Sequence, residues 1–171
     1  MNILKKLWPL LVILLMLLFF YRALELNPHD IPSAKIGQKI PDLVLFNYQT
    51  QNQVHLSQYI GKPQVIHFWA SWCDNCVQEL LLIKAWQQRH QHQMIGVNYK
   101  ETPKSLAQFF RLQDNIFDPL LLDEHAKFGI EIGVVAVPET FVLDKRGIII
   151  YRHQGPMDEA ALDIIWKKIH A

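Results

Sequence analysis

The sequence predicts an α/β fold with a mixed central β-sheet flanked by helices, and three observations carry that prediction. From residue 64 onward, strand-like and helix-like stretches alternate. One of them, "QVIHFWA" at 64–70, is almost continuously apolar, as a central strand buried on both faces requires. The chain then closes with a hairpin pattern and an amphipathic helix, which adds antiparallel strands to a sheet begun by parallel ones.

The N-terminus stands apart from that domain. Residues 7–21, "LWPLLVILLMLLFFY", carry no charge. From Leu7 to Leu26 the stretch matches the about 20 helical residues needed to cross a hydrocarbon core of about 30 Å. Arg22 and Glu25 can reach the interface by snorkelling. A secretory signal peptide has a similar plan, with Lys5 and Lys6 as its basic end, but "FFYRALELNPHD" offers no small-residue cleavage site. The expectation is a cytoplasmic tail at 1–6, an uncleaved transmembrane helix at 7–26, a proline-rich linker at 27–40 and a folded domain at 41–171. The lysines before the span keep the tail in the cytoplasm. In a bacterium this single-pass protein of the inner membrane then exposes its C-terminal domain to the periplasm, where disulfide chemistry operates.

Within the domain, "DLVLFNYQTQNQVHL" reads as two short strands around the polar turn "QTQN". "GKP" at 61–63 breaks the chain before the central strand. "CVQELLLIKAWQQRH" is a helix with Cys76, Leu80, Ile83, Trp86 and Gln87 along one side, and Leu81 and Leu82 widening the stripe. "MIGVNY" is the next strand. "TPKSLAQFFRL" opens with Thr102 as N-cap and Pro103 at the first helical position, and Leu106, Phe109 and Phe110 share a face. "DPLLLD" and "DEHAKFG" give a short strand and a short helix. "PETFVLDKRGIIIYR" is a hairpin across a turn holding Gly147. The last helix, 157–169, has Asp158 and Glu159 in its first turn and Lys167 and Lys168 in its last, both matching the macrodipole. Leu162, Ile165, Trp166 and Ile169 form its buried stripe.

Charge and histidine content narrow the functional classes. The 17 basic and 16 acidic residues leave a formal net charge of +1, without the clustered basic excess of a nucleic-acid binder. The closest pair of the eight histidines, His90 and His92, lies in "QQRHQHQ", read as a solvated helix end and loop because zinc-ligand spacings are absent. No metal and no cofactor is expected.

The chemistry concentrates in "WASWCDNCVQEL", which holds the only two cysteines, Cys73 and Cys76. A zinc site needs four ligands and has no second pair here. A structural disulfide closing so short a loop removes little chain entropy. A redox couple fits best: Cys73 sits where a strand gives way to a helix, whose unpaired first N–H groups stabilise a thiolate. Cys76, one turn inside, is placed to resolve a mixed disulfide.

"HFWASWCDNC" together with "VPETF" resembles the thioredoxin superfamily. With Glu79, "IGVNYKE", "FGIEIGVVAVPETFVLDKRGIIIYRHQGPM" and the N-terminal anchor added, the chain is similar to the membrane-anchored periplasmic thiol:disulfide interchange proteins of cytochrome c maturation, the DsbE/CcmG family. The resemblance implies a thioredoxin-like fold and a disulfide reductase, with Cys73 attacking and Cys76 resolving. It implies a cis-proline loop at Val137 and Pro138 that presents backbone to an extended substrate. It also implies substrate contact at Trp72, and acidic positions at Glu79 and Glu139, which could equally be a helix-favoured carboxylate and a solvated strand residue. The implied partners are apocytochrome c or a haem-ligation protein as substrate, and a membrane thiol–disulfide carrier as electron donor. A general periplasmic oxidase or isomerase or a reductase of another pathway on the same fold, and a non-catalytic anchored binding module, are the competing readings.

Two positions depart from the family pattern. His67 lies in the buried strand where thioredoxin has an acid, so it is either a proton-transfer group for Cys76 or a core histidine bonded to backbone. Asp74, with Asn75, replaces the usual proline after the first cysteine. Its charge should oppose a Cys73 thiolate, which makes the disulfide harder to reduce and the dithiol the stronger reductant.

Overall fold

The computed structural model describes residues 3–25 and 35–170, with backbone only for 3–7 and 23–25. The chain divides into two units, Met1–Pro32 and Ser33–Ala171. In the first, α1 (Ile3–Glu25) exposes large apolar side chains from Trp8 to Tyr21. Its described side chains cover only residues 8–22, and among the described residues no helix is long and apolar enough to cross a membrane. The expected linker at 27–40 lies outside the described residues as far as residue 34.

In the second unit, β1 (Val44–Asn47) and β2 (Asn52–His55) form the antiparallel hairpin expected around the polar turn. There follow β3 (Gln64–Trp69), α2 (Asp74–His90), β4 (Ile95–Tyr99), α3 (Pro103–Phe109), β5 (Leu120–Asp123) and α4 (Lys127–Ile132). The chain ends in β6 (Glu139–Leu143), β7 (Ile149–Gln154) and α5 (Glu159–Ile169). The strands make one mixed sheet in the order β2-β1-β5-β4-β3-β6-β7. This is a thioredoxin-like α/β fold.

β3 is buried at every residue because it runs between β4, parallel, and β6, antiparallel, with a core on each face. The two-residue period of a strand divides its side chains. Ile66 and Phe68 enter one cluster with Val97, Leu121 and Phe141, while Val65 and Trp69 enter the other with Cys76, Ile83 and Leu162. His67 therefore faces the side covered by α2. Both clusters lie between residues 40 and 165, so the second unit has a core of its own.

The helices obey local rules. Thr102 caps α3 by accepting the Ser105 N–H at 3.2 Å. Asp158 stands just outside α5 as its N-cap rather than in its first turn, accepting the Ala161 N–H at 2.7 Å; such caps contribute about 1 kcal/mol each. α2 buries Cys76, Glu79, Leu80, Ile83, Trp86 and Gln87. Leu81, expected to widen that stripe, is 78% exposed, because one residue beyond Leu80 turns about 100° round the helix.

The "QQRHQHQ" segment is less solvated than expected. Gln87 is buried, its Oε1 accepting the Met94 N–H at 2.7 Å while its Nε2 donates to the Ile116 carbonyl at 2.9 Å. His90 lies 4.1 Å from the Trp166 ring. Burial holds the His92 imidazole below its ordinary pKa, and Lys62, His170 and His90 add to the effect.

Gly96 in β4 is required by packing: a Cβ there would lie 2.4 Å from Cγ of Phe117. Phe117 in turn stacks on His67 and contacts Trp69. Gly96→Ala should therefore displace Phe117 and cost about 1–3 kcal/mol. The check is a lower urea midpoint with unchanged slope.

Candidate active site

β3 ends at Trp69, and the loop 70–72 delivers Cys73 to the start of α2. Cys73 is extended (φ −98°, ψ 106°) and is the N-cap of that helix. Its Sγ takes the place of a capping oxygen and accepts the Cys76 N–H at 3.3 Å. Cys76, fully buried in the α2-side core, is joined to Cys73 by a disulfide. One sulfur thus lies at the positive end of a 17-residue helix and the other one turn inside, behind it.

The neighbours of the pair come from two loops and the first residue of α2. Trp72 is 57% exposed beside Cys73. The Val137–Pro138 bond is cis, and the Val137 carbonyl oxygen lies 3.6 Å from Cys73 Sγ. Asp74, the first residue of α2, is exposed, so water screens its charge from the sulfur.

Each sequence-predicted acid or base has a particular partner. His67 has no exposed surface; its Nδ1 is 2.9 Å from Thr140 Oγ1 and its Nε2 is 3.3 Å from Glu79 Oε1. Among the described residues neither that Nε2 nor that Oε1 has a hydrogen-bond partner, so the two atoms approach each other without an aligned bond. Glu79 Oε2 accepts the Met157 N–H at 2.5 Å. A buried polar chain therefore crosses from β6 through β3 to α2, where Glu79 follows Cys76 by one turn. Glu139 is not solvated: it is 1% exposed, paired with the buried Arg152, and accepts the Val135 N–H at 3.1 Å. Arg152 also donates to the Gly133 carbonyl at 3.1 Å. The two side chains hold the loop that leads into Pro138, and their charges compensate each other.

Glu101 is a residue that sequence reasoning did not single out. It follows β4, is 4% exposed, and its carboxylate accepts the Ser71 N–H at 3.0 Å, the Ser71 hydroxyl, Asn98 Nδ2 at 2.8 Å and the Ser105 hydroxyl at 2.8 Å. It thereby ties the loop just ahead of Cys73 to β4 and α3. Burial alone would raise this carboxyl's pKa, but the bonds from Ser71, Asn98 and Ser105 together outweigh it and hold the value below the usual range. Its signal in the sequence was an acid standing between an apolar strand and a capped helix. Arg152 was not singled out either; in the structure β6 and β7 pair Phe141 with Arg152, next to Glu139 on the same face.

Residues 35–165 match the redoxin family model. The chain belongs to the redoxin family. It is 34% identical over 156 residues to the thiol:disulfide interchange protein DsbE of Allochromatium vinosum, covering 90% of this chain and 86% of that protein. With the DsbE of Pasteurella multocida it shares 31% identity over 166 residues, covering 93% and 91%. A crystal structure described as a DsbE-type protein of Chlorobium tepidum superposes with a TM-score of 0.68 at 25% identity, over 79% of this chain and 95% of that one. The chain is a thiol–disulfide oxidoreductase of the DsbE type, and Cys73–Cys76 is its redox disulfide.

Replacing Glu101 should loosen the loop ahead of Cys73. Glu101→Ala leaves buried donors unpaired and should cost about 1–3 kcal/mol, measured by urea unfolding near neutral pH. Because the folded carboxyl lies below its ordinary 4.5, its contribution is complete above that value and is lost as pH falls through the depressed folded one. The difference between wild type and variant should therefore shrink toward low pH.

Proposed function

We propose that this protein is a periplasmic reductase, anchored in the bacterial inner membrane by α1, that acts on disulfides of apocytochrome c or of a haem-ligation protein during cytochrome c biogenesis. The observation that carries the reading is the position of Cys73 Sγ, capping α2 and 3.6 Å from the carbonyl before cis-Pro138, with Cys76 buried behind it. The similarity to proteins named DsbE supports the substrate class, and the exposed apolar side chains of α1 support the anchor.

In the reduced protein the Cys73 thiolate attacks one sulfur of the substrate disulfide, whose other sulfur leaves as a thiolate and takes a proton. The extended substrate lies along Val137 and Pro138, against Trp72. Cys76 then loses its proton and attacks Cys73 Sγ. The substrate departs with both sulfurs reduced, and the Cys73–Cys76 disulfide forms. His67 and Glu79, the buried pair one turn from Cys76, supply the acceptor for that proton in a place closed to bulk water. A membrane thiol–disulfide carrier returns two electrons. Asp74 tunes Cys73 through solvent, disfavouring the thiolate slightly.

Cys76→Ser tests the exchange directly. In growing cells it should accumulate mixed disulfides through Cys73 with a haem-binding Cys-x-x-Cys-His segment or a haem-handling protein, identified by mass spectrometry. An empty trap contradicts the mechanism, and partners unrelated to cytochromes contradict the substrate. Asp74→Pro should make the reduction potential about 10–20 mV less negative, since 30 mV corresponds to about 1.4 kcal/mol for this couple and an exposed charge is worth less than that. A more negative value rules the Asp74 role out.

A further inference from the structure

We infer that the end of the domain opposite the cysteines is a membrane-facing surface that rests on anionic phospholipid headgroups and turns Cys73 away from the bilayer. The inference extends the anchored reading. Strand register gives the geometry: Phe68 pairs with Glu139 at the cysteine end of β3, and Gln64 pairs with Leu143 at the other. At about 3.3 Å per residue these two pairs are separated by roughly 13 Å along the strand.

The far end is cationic. The β6–β7 turn carries Lys145 and Arg146, and the C-terminal turn of α5 brings Lys168 and His170 to the same groove. The Gly61 N–H donates to the Lys145 carbonyl at 3.1 Å, which sets Lys62 beside the turn, and the bridge from Lys39 to Ile148 adds Lys39. All six side chains are exposed. Two acids lie among them. Asp144 is occupied by Arg146 Nε and by the N–H groups of Arg146 and Ile148, each at 2.9 Å, and Asp118 shares a second groove with Lys62. With a net charge of only +1 for the whole chain, six exposed basic side chains against two acids is a local excess of positive charge.

The route of the chain selects a lipid surface as the occupant. Residues 37–40 enter the domain by pairing with 147–149: Gly37 N–H to Ile149 O at 2.8 Å, Ile149 N–H to Gln38 O at 3.0 Å, and Ile40 N–H to Gly147 O at 2.8 Å. The tether from α1 thus joins the domain at the basic turn itself. Residues 26–34, nine in all, reach no further than about 30 Å when extended. On the anchored reading, basic residues within this reach of the bilayer attract anionic headgroups over a Debye length of about 8 Å at physiological salt.

The test uses residues 33–171, which contain the whole core, with vesicles of phosphatidylcholine alone or mixed with phosphatidylglycerol. At low salt the domain should bind the mixed vesicles about tenfold more than the neutral ones, and should release at high salt. The triple variant Lys145→Glu, Arg146→Glu, Lys168→Glu should fall to the neutral-vesicle level while its Cys73–Cys76 potential stays unchanged. Equal binding to both vesicles, or undiminished binding by the variant, overturns the inference. So does displacement by inorganic phosphate at matched ionic strength, which identifies a free-anion site. The anchored reading fails separately, by alkaline extraction of the full chain from membranes.

Discussion

The hydrogen bond from the Cys76 N–H to Cys73 Sγ is the constraint on which the site depends. A helix start leaves its first N–H groups unpaired, and most helices satisfy one with a side-chain oxygen. Here a sulfur does so, which fixes three things together. The Cys73 sulfur sits where the helix field favours an anion, the Cys76 sulfur lies one turn behind it, and the strand before them must end where β3 ends. The burial of β3 on both faces, the pairing with β4 and β6, and the grip of Glu101 on Ser71 all hold that strand-to-helix junction in register.

Around the junction, three buried acids are each tied to specific groups, and this decides what each can do. Glu139 is compensated by Arg152 and bonded to the loop that carries Pro138, so its effect is positional more than electrostatic. Glu101 spends its four contacts on Ser71, Asn98 and Ser105. Glu79 differs, because its near partner is an imidazole, His67, at 3.3 Å, and its other oxygen is taken by the Met157 N–H.

Much of the fold was legible because its signals are local. The run "QVIHFWA", the Thr102-Pro103 start of α3 and the Gly147 turn each state their structure within a few residues. The polar network was harder to read. Nothing near Glu101 in the chain announces that Ser71, thirty residues earlier, bonds to it. The His67–Glu79 contact depends on which face of β3 meets which face of α2, and the period of two gives the face but not the partner. Leu81 and the histidines of "QQRHQHQ" misled in opposite ways, an apolar residue left in solvent and polar ones drawn against Trp166. For Leu81 the helical period itself turns the residue to solvent, while for the histidines tertiary packing overrode the local pattern.

The direct test of this account is the acidity of the two thiols in the reduced protein, followed as the pH dependence of alkylation at each cysteine. If the sulfur that caps α2 is the nucleophile, Cys73 should titrate below the about 8.5 of a free thiol and Cys76 above it. A Cys73 value at or above about 8.5, or a Cys76 more acidic than Cys73, contradicts the assignment of roles.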